Sequence, residues 1–323
     1  MDFFKKNNIY DFVKYSRYGL CISIFIIVYI IIFLFIRGIS LGIDFSGGNI
    51  VQIQYSSKDA PIPQIRDILN KNALFKDVQI IEFGSKDEIV IKFNLTSNEE
   101  LNIQEIINSS LRSTGEFEIR RVDTVGPRAG SELAKKGFMA FIVSLLAIMI
   151  YVSFRYEWRF ALAGIIALLH DIIISGASIV LFNVDLSLDV IAAFLTLLGY
   201  SINDTIIIFD RIREQLQSRK FNSIESVIND AISITLSRTL LTSITVFLVI
   251  LILFLFGSEM LKGFTIPMLI GSVVGTYSSI FIAPRLIMLF GFDIQKYYKR
   301  EDLKAKKKIE KQKLRELYEH GRV

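Results

Sequence analysis

The sequence predicts an α-helical polytopic membrane protein with six transmembrane helices and a small extracytoplasmic α+β domain of ferredoxin-like order between helices one and two. Three observations carry this reading. Of 323 residues, 52% are hydrophobic and 21% charged, where soluble domains run at roughly 45–50% and 25%. The apolar residues gather into six runs of about 20, the length that crosses a ~30 Å hydrocarbon core at about 1.5 Å per residue. A single long polar stretch, about Gly38 to Glu132, interrupts them with short alternating and helical patterns. Soluble-enzyme, collagenous, disulfide-rich and disordered classes are excluded. The single Cys21 lies inside the first apolar run and permits no intramolecular disulfide.

The first run, Tyr18 to Ile36, ends at Arg37 and stays bulky to its boundary. A cleaved signal peptide has a shorter apolar region followed by small residues, so this segment reads as an anchor. In the polar stretch, Ile50 to Tyr55 alternates as a strand, and Pro61 to Asn72 reads as a helix with Pro in its first turn. Val78 to Phe83 and Glu88 to Phe93 form a hairpin around Gly84-Ser85-Lys86-Asp87. A second helix runs from Ser97, its capping residue, to about Arg112, and Phe117 to Val122 is a closing strand. The order β-α-β-β-α-β is that of the split-βαβ sandwich. Five further spans follow: Gly137 to Phe154, Phe160 to Phe182, Leu186 to Phe209, Ile234 to Phe256 and Phe264 to Phe290.

Lys and Arg gather before span one, between spans two and three, after span four and after span six, whereas Asn183 to Asp185 and Gly257 to Gly263 hold one basic residue, Lys262. The positive-inside rule therefore places both termini in the cytoplasm and the small domain outside. The division expected is residues 1–17 as cytoplasmic N-terminus, 18–37 as the first helix, 38–132 as the outer domain, 133–290 as a five-helix region and 291–323 as a basic cytoplasmic tail. The tail mixes charges of both signs at helical spacing and reads as a solvated helix. Its lysines suit anionic membrane lipid, at about 1 kcal/mol each near the surface. It has almost no aromatic interleaving for stacking bases, so no nucleic acid is expected.

Ionisable residues inside the spans are costly and need a reason. Span three carries His170 and Asp171 near its middle, and Asp171 shares a face with Gly164, Ala167, Ser175 and Ser178; His170 reads as an interhelical hydrogen-bonding residue. In span four, Asp204 lies six residues inside Asp210, roughly 9 Å from the boundary. Arg238 lies at similar depth in span five, so the two charges are expected to pair and offset each other's burial. The alternative to a purely structural pair is a proton site, because burial favours the neutral carboxyl and a nearby Arg the ionised one. Tyr200, Ser201 and Asn203 surround Asp204, and Thr242 and Thr245 follow Arg238 on an expected common face with Thr235. Span six contributes the small-residue face Gly271 to Gly275.

GIDFSGG, Gly42 to Gly48, and DTVGPRAG, Asp123 to Gly130, flank the outer domain, their glycines fitting tight turns into spans one and two. The sequence shows no phosphate loop, nucleophile triad or metal-ligand cluster, so no enzyme activity, metal or cofactor is expected. Together with LLHDIII (Leu168 to Ile174), LLGYSINDTIIIFDRIRE (Leu197 to Glu214), SRTLLTS (Ser237 to Ser243) and GTYSSIFIA (Gly275 to Ala283), these stretches resemble the SecF family of protein-export membrane proteins, in family order. The resemblance implies an RND-type bundle in the bacterial inner membrane. It implies a subunit that works with SecD, the Sec translocon channel and its accessory subunits, using the proton-motive force to pull translocating preprotein outward. It also implies proton transport through Asp204 and Arg238, with Asp171 a third candidate. Two other readings keep the same residues: an RND-type transporter of lipid or small molecules, for which the outer segment is small, and a passive translocon scaffold.

Overall fold

A computed structural model describes residues 9–57, 59–95 and 102–319. Six of its helical stretches are long and apolar enough to cross a membrane. They are α1 (Phe12–Arg37), α5 (Pro127–Arg155), α6 (Trp158–Leu181), α7 (Leu188–Ser218), α8 (Ile224–Phe256), and α9 (Lys262–Tyr277) continued through a π-helical turn (Ser278–Ile282) into α10 (Ala283–Leu289). Several helices overrun the apolar stretches of the sequence. α8, for example, begins at Ile224, where Ser223 caps its first turn by accepting from the Ser226 N–H.

Between α1 and α5 lie α2 (Ile43–Ser46), β1 (Gly48–Tyr55), α3 (Ile62–Lys71), β2 (Phe75–Phe83), β3 (Ser85–Leu95), α4 (Ile103–Leu111) and β4 (Phe117–Val125). The strands pair antiparallel in the order β2-β3-β1-β4, the ferredoxin-like arrangement. β1 alternates buried and half-buried residues, sending Val51, Ile53 and Tyr55 into a core with Ile65 and Leu69 of α3 and Ile107 and Leu111 of α4. The hairpin is tighter than its sequence suggests: Gly84, at φ 75°, makes the turn alone and Ser85 already pairs with Phe83. The expected cap Ser97 lies outside the described residues.

The two glycine motifs meet. A Cβ on Gly130, in the first turns of α5, would sit 2.9 Å from Gly47 N and from Phe45 O, so only glycine lets α5 lie against this segment. The same segment is tied to the loop between α6 and α7. Leu186 N donates to Ser40 O at 2.8 Å and Gly42 N to Leu186 O at 2.9 Å. Asp185 accepts from Ser40 and Gln79, and Asp44 caps α7 by accepting from Leu188 N at 3.0 Å. The domain is thus hydrogen-bonded to the mouth of the bundle.

The bundle is built around α6, α7 and α9: half or more of the apolar stretch is buried in α6 and in the span from α9 to α10, while α5 has few fully buried residues. At the end away from the domain, Phe160, Phe209, Phe292 and Tyr156 pack edge-to-face. The same end carries a basic belt in which Arg155 pairs with Asp210 and Arg159 donates to Phe290 O. The tail continues as α11 (Ile294–Glu319), docked by Arg300 on Glu157 and Arg219 on Asp302.

Candidate functional site

The polar face read from span three is buried throughout: Gly164, Ala167, Asp171, Ser175 and Ser178 all face the bundle interior. Span six reaches it because its glycines remove the obstacle. A Cβ on Gly271 would lie 2.6 Å from Leu197 and 2.9 Å from Ser175 Oγ, and one on Gly275 would lie 3.1 Å from Ser201 Cβ and 3.6 Å from Asp171 Oδ2. The result is a polar seam where α1, α6, α7, α8 and α9 meet.

Asp171 is 1% exposed and makes three hydrogen bonds. Ser201 Oγ of α7 donates at 2.5 Å and Ser278 Oγ at 2.8 Å, both to Oδ2, while His170 Nδ1 lies 2.8 Å from Oδ1. Ser278 opens the π-helical turn, a local widening that inserts functional side chains into a helix face. His170 Nε2 reaches Ser23 Oγ of α1 at 2.9 Å, which makes His170 the interhelical link its sequence context suggests.

Asp204 is also 1% exposed, but its surroundings are sparse. Ser243 Oγ of α8 donates to Oδ2 at 3.2 Å and receives the Thr276 hydroxyl of α9 at 2.6 Å. The other oxygen, Oδ1, is buried with no hydrogen-bond partner in the protein, and so is the Tyr200 hydroxyl one turn away on α7. A buried carboxyl with one unanswered oxygen costs free energy unless it carries a proton or meets a transient partner.

The expected Asp204–Arg238 ion pair does not form, although α7 and α8 pack together. Arg238 is exposed on α8; it lies within electrostatic reach of Asp204 but not within ion-pair distance, and among the described residues no salt bridge includes either side chain. Thr242 and Thr245 lie on the same side of the helix as Arg238 and donate to carbonyls of their own helix, and Asn203 is exposed on α7. The reason is rotational. Thr235, Thr239 and Ser243, four residues apart, form the inward stripe, whereas Arg238 and Thr242 are displaced from it by about 100° of helix rotation per residue. Ser201 is buried but serves Asp171 rather than Asp204. Sequence reasoning missed Ser243, Ser278 and Ser23; the four-residue stripe ending at Ser243 is the one signal that could have found any of them. Among the described residues no His, Cys, Asp and Glu group is arranged to hold a metal ion.

The glycine segment and the bundle are both family landmarks. The SecD/SecF GG motif matches residues 32–59, and the C-terminal region of protein export membrane proteins SecD/SecF matches residues 106–293. Over 326 residues the chain is 56% identical to protein translocase subunit SecF of Helicobacter pylori, with 100% of both chains covered. The chain belongs to the SecF family. It is 36% identical over 310 residues to the SecF subunit of Escherichia coli O157:H7, covering 94% of this chain and 93% of that one. Among solved structures it is similar to SecDF, a translocon-associated membrane protein from Thermus thermophilus, with a TM-score of 0.77 and 31% identity. That likeness covers 89% of this chain and 39% of the SecDF chain, so this SecF-family chain corresponds to a part of a longer protein there.

Proposed function

We propose that the chain is a non-enzymatic subunit of the Sec protein-export machinery, which works with a SecD partner in the bacterial cytoplasmic membrane and uses the proton-motive force to assist late preprotein translocation. The observation that carries this reading is Asp204, buried in the polar seam with one oxygen unanswered, in a chain alike over its full length to translocase subunits. An intramembrane carboxyl in such a place is functional by default. With both termini in the cytoplasm, as the basic belt favours, the small domain faces outward, where emerging preprotein would meet it.

Arg238 and Asn203 support the partnership. They sit on the outside of the bundle within its apolar length, where a charge facing lipid is expensive and a second protein chain is the cheaper cover. In this reading a proton reaching Asp204 neutralises it, changes its hold on Ser243 and Thr276, and shifts α8 against α9. The outer domain follows through the Asp185 and Gly130 contacts to the bundle mouth. One charge moved across 100 mV supplies ~2.3 kcal/mol, a bias of about fiftyfold at about 1.4 kcal/mol per tenfold.

The test is preprotein export into inverted membrane vesicles holding this chain and its partner, with and without a protonophore. Export that slows on collapse of the gradient only when the chain is present supports the reading; equal slowing in vesicles lacking it contradicts it.

A further inference from the structure

The hydrogen-bond donors around His170 do not balance if its ring and Asp171 together carry a single proton. Tyr277 Oη lies 2.7 Å from Gly19 O, a carbonyl that can only accept, so the Tyr277 hydrogen is committed there. Ser23 Oγ lies 3.2 Å from Tyr277 Oη and 2.9 Å from His170 Nε2, and it owns one hydrogen. With the Tyr277 hydrogen already used, Ser23 must donate to Tyr277, and Nε2 must then carry a hydrogen and donate to Ser23. On the other side of the ring, Nδ1 and Asp171 Oδ1, 2.8 Å apart, need a hydrogen between them. Asp171 Oδ2 takes the Ser201 hydrogen and the Ser278 hydrogen, the latter closer to Oδ2 at 2.8 Å than to its other acceptor, Gly275 O, at 3.1 Å.

We infer that His170 and Asp171 hold two protons between them, one on Nε2 and one shared between Nδ1 and Oδ1, and that the Nε2 proton clamps α1 to the middle of span six. The pair is either imidazolium with carboxylate or Nε2–H imidazole with carboxylic acid; donor counting is the same for both. If one proton is given up to a buffer base, Nε2 becomes an acceptor and takes the Ser23 hydrogen. The Ser23–Tyr277 bond then has no hydrogen, and α1 keeps only the Tyr277–Gly19 bond to span six at this level. The dyad is sealed, His170 being 4% and Asp171 1% exposed. A Cβ on Gly19 would lie 3.0 Å from Tyr277 Oη, so the two helices are already in close approach. Of the groups on elements packed against α6, Tyr277 stands beside the ring, with ring centroids 6.2 Å apart. Asp204 lies about one turn along α7 from Ser201, and Arg285 about two turns beyond Ser278. α1 presents Ser23 at this depth, its Cys21 being exposed, and α5 carries its charges near its ends. This assigns His170 a positioning role, one that rests on the proton-coupled reading only for its place in export.

The chain has 2 histidines, so nitrogen-15 labelling of histidine in the full chain, reconstituted with its partner in lipid bilayers, gives two ring systems to follow. His170→Gln identifies the His170 ring by its loss. The expected spectrum shows a protonated Nε2 on His170 at the pH at which export is gradient-driven. Tyr277→Phe, which frees the Ser23 hydrogen for Nε2, raises the share of molecules with a bare Nε2. A spectrum with bare Nε2 and a hydrogen on Nδ1 alone in the unsubstituted chain overturns the inference, and so does a Tyr277→Phe spectrum identical to it. A protonated Nε2 in a chain whose export ignores the gradient would leave the dyad standing and remove the parent reading.

Discussion

Two carboxylates are buried to the same degree in one bundle, and the protein treats them differently. Asp171 makes three hydrogen bonds, to partners on its own helix, α7 and the π-helical turn, whereas Asp204 makes one and leaves an oxygen bare. A fully satisfied polar network rigidifies the helices that contribute to it, and a half-satisfied one stores free energy that a proton or a moving partner can release. Asp171 therefore holds the seam together, and Asp204 is placed to exchange. Burial alone would not have separated them; the number of hydrogen bonds does.

The comparison is broken most directly by exchanging effects. Asp204→Asn is expected to remove the proton-gradient stimulation of export, a loss of about fiftyfold in the bias available from one charge over 100 mV, while leaving thermal stability in detergent close to that of the unsubstituted chain. Gradient-stimulated export and a melting curve on the same preparation check both halves. Asp171→Ala should do the reverse. It strands His170, Ser201 and Ser278, and each buried group left without a partner costs about 1–3 kcal/mol, so a lowered melting temperature precedes any question of coupling. Asp171→Asn, which keeps one acceptor oxygen, should fall between.

Gly275→Ala sharpens the contrast, because the new methyl presses on Ser201 and Asp171 rather than on Asp204. Overpacking of this kind costs about 1–3 kcal/mol, and the melting temperature should fall with the gradient response preserved in the surviving folded fraction. A pair outside both clusters sets the floor. Arg219 holds the exposed Asp302 carboxyl below its ordinary value of 3.8, so the contact is present above that value and is lost as pH falls through the lower, folded one. Spin labels on α11 and on the α7–α8 loop should separate only under strong acid, with no change in export near neutrality.

Much of this was legible in the sequence. The six spans follow from uninterrupted apolar runs, and the ferredoxin-like domain from strand alternation and turn residues between them. Asp171 and Asp204 stood out because charges inside such runs are rare. Their partners did not stand out. Ser23, Ser243 and Ser278 are small residues of a kind that packs anywhere in a membrane helix, and which of them donates to a carboxylate depends on helix rotation and on how closely Gly271 and Gly275 let span six approach. The Arg238 expectation shows the same limit. Depth along the helix was readable and brought it level with Asp204, but a displacement about the helix axis put it on the outside. The glycine motifs were visible as turns, whereas their contact with each other, Gly130 against Gly47, is a tertiary fact.

The central claim is that the bare oxygen of Asp204 takes a proton when the gradient is applied. Infrared difference spectroscopy on bilayers containing the chain and its partner, recorded as the outer side is acidified, reads this directly through the carbonyl stretch of a protonated carboxyl. The account predicts a band that grows with the imposed gradient and is absent in Asp204→Asn. A band of equal size in Asp204→Asn, or none in the unsubstituted chain while export is running, would contradict it.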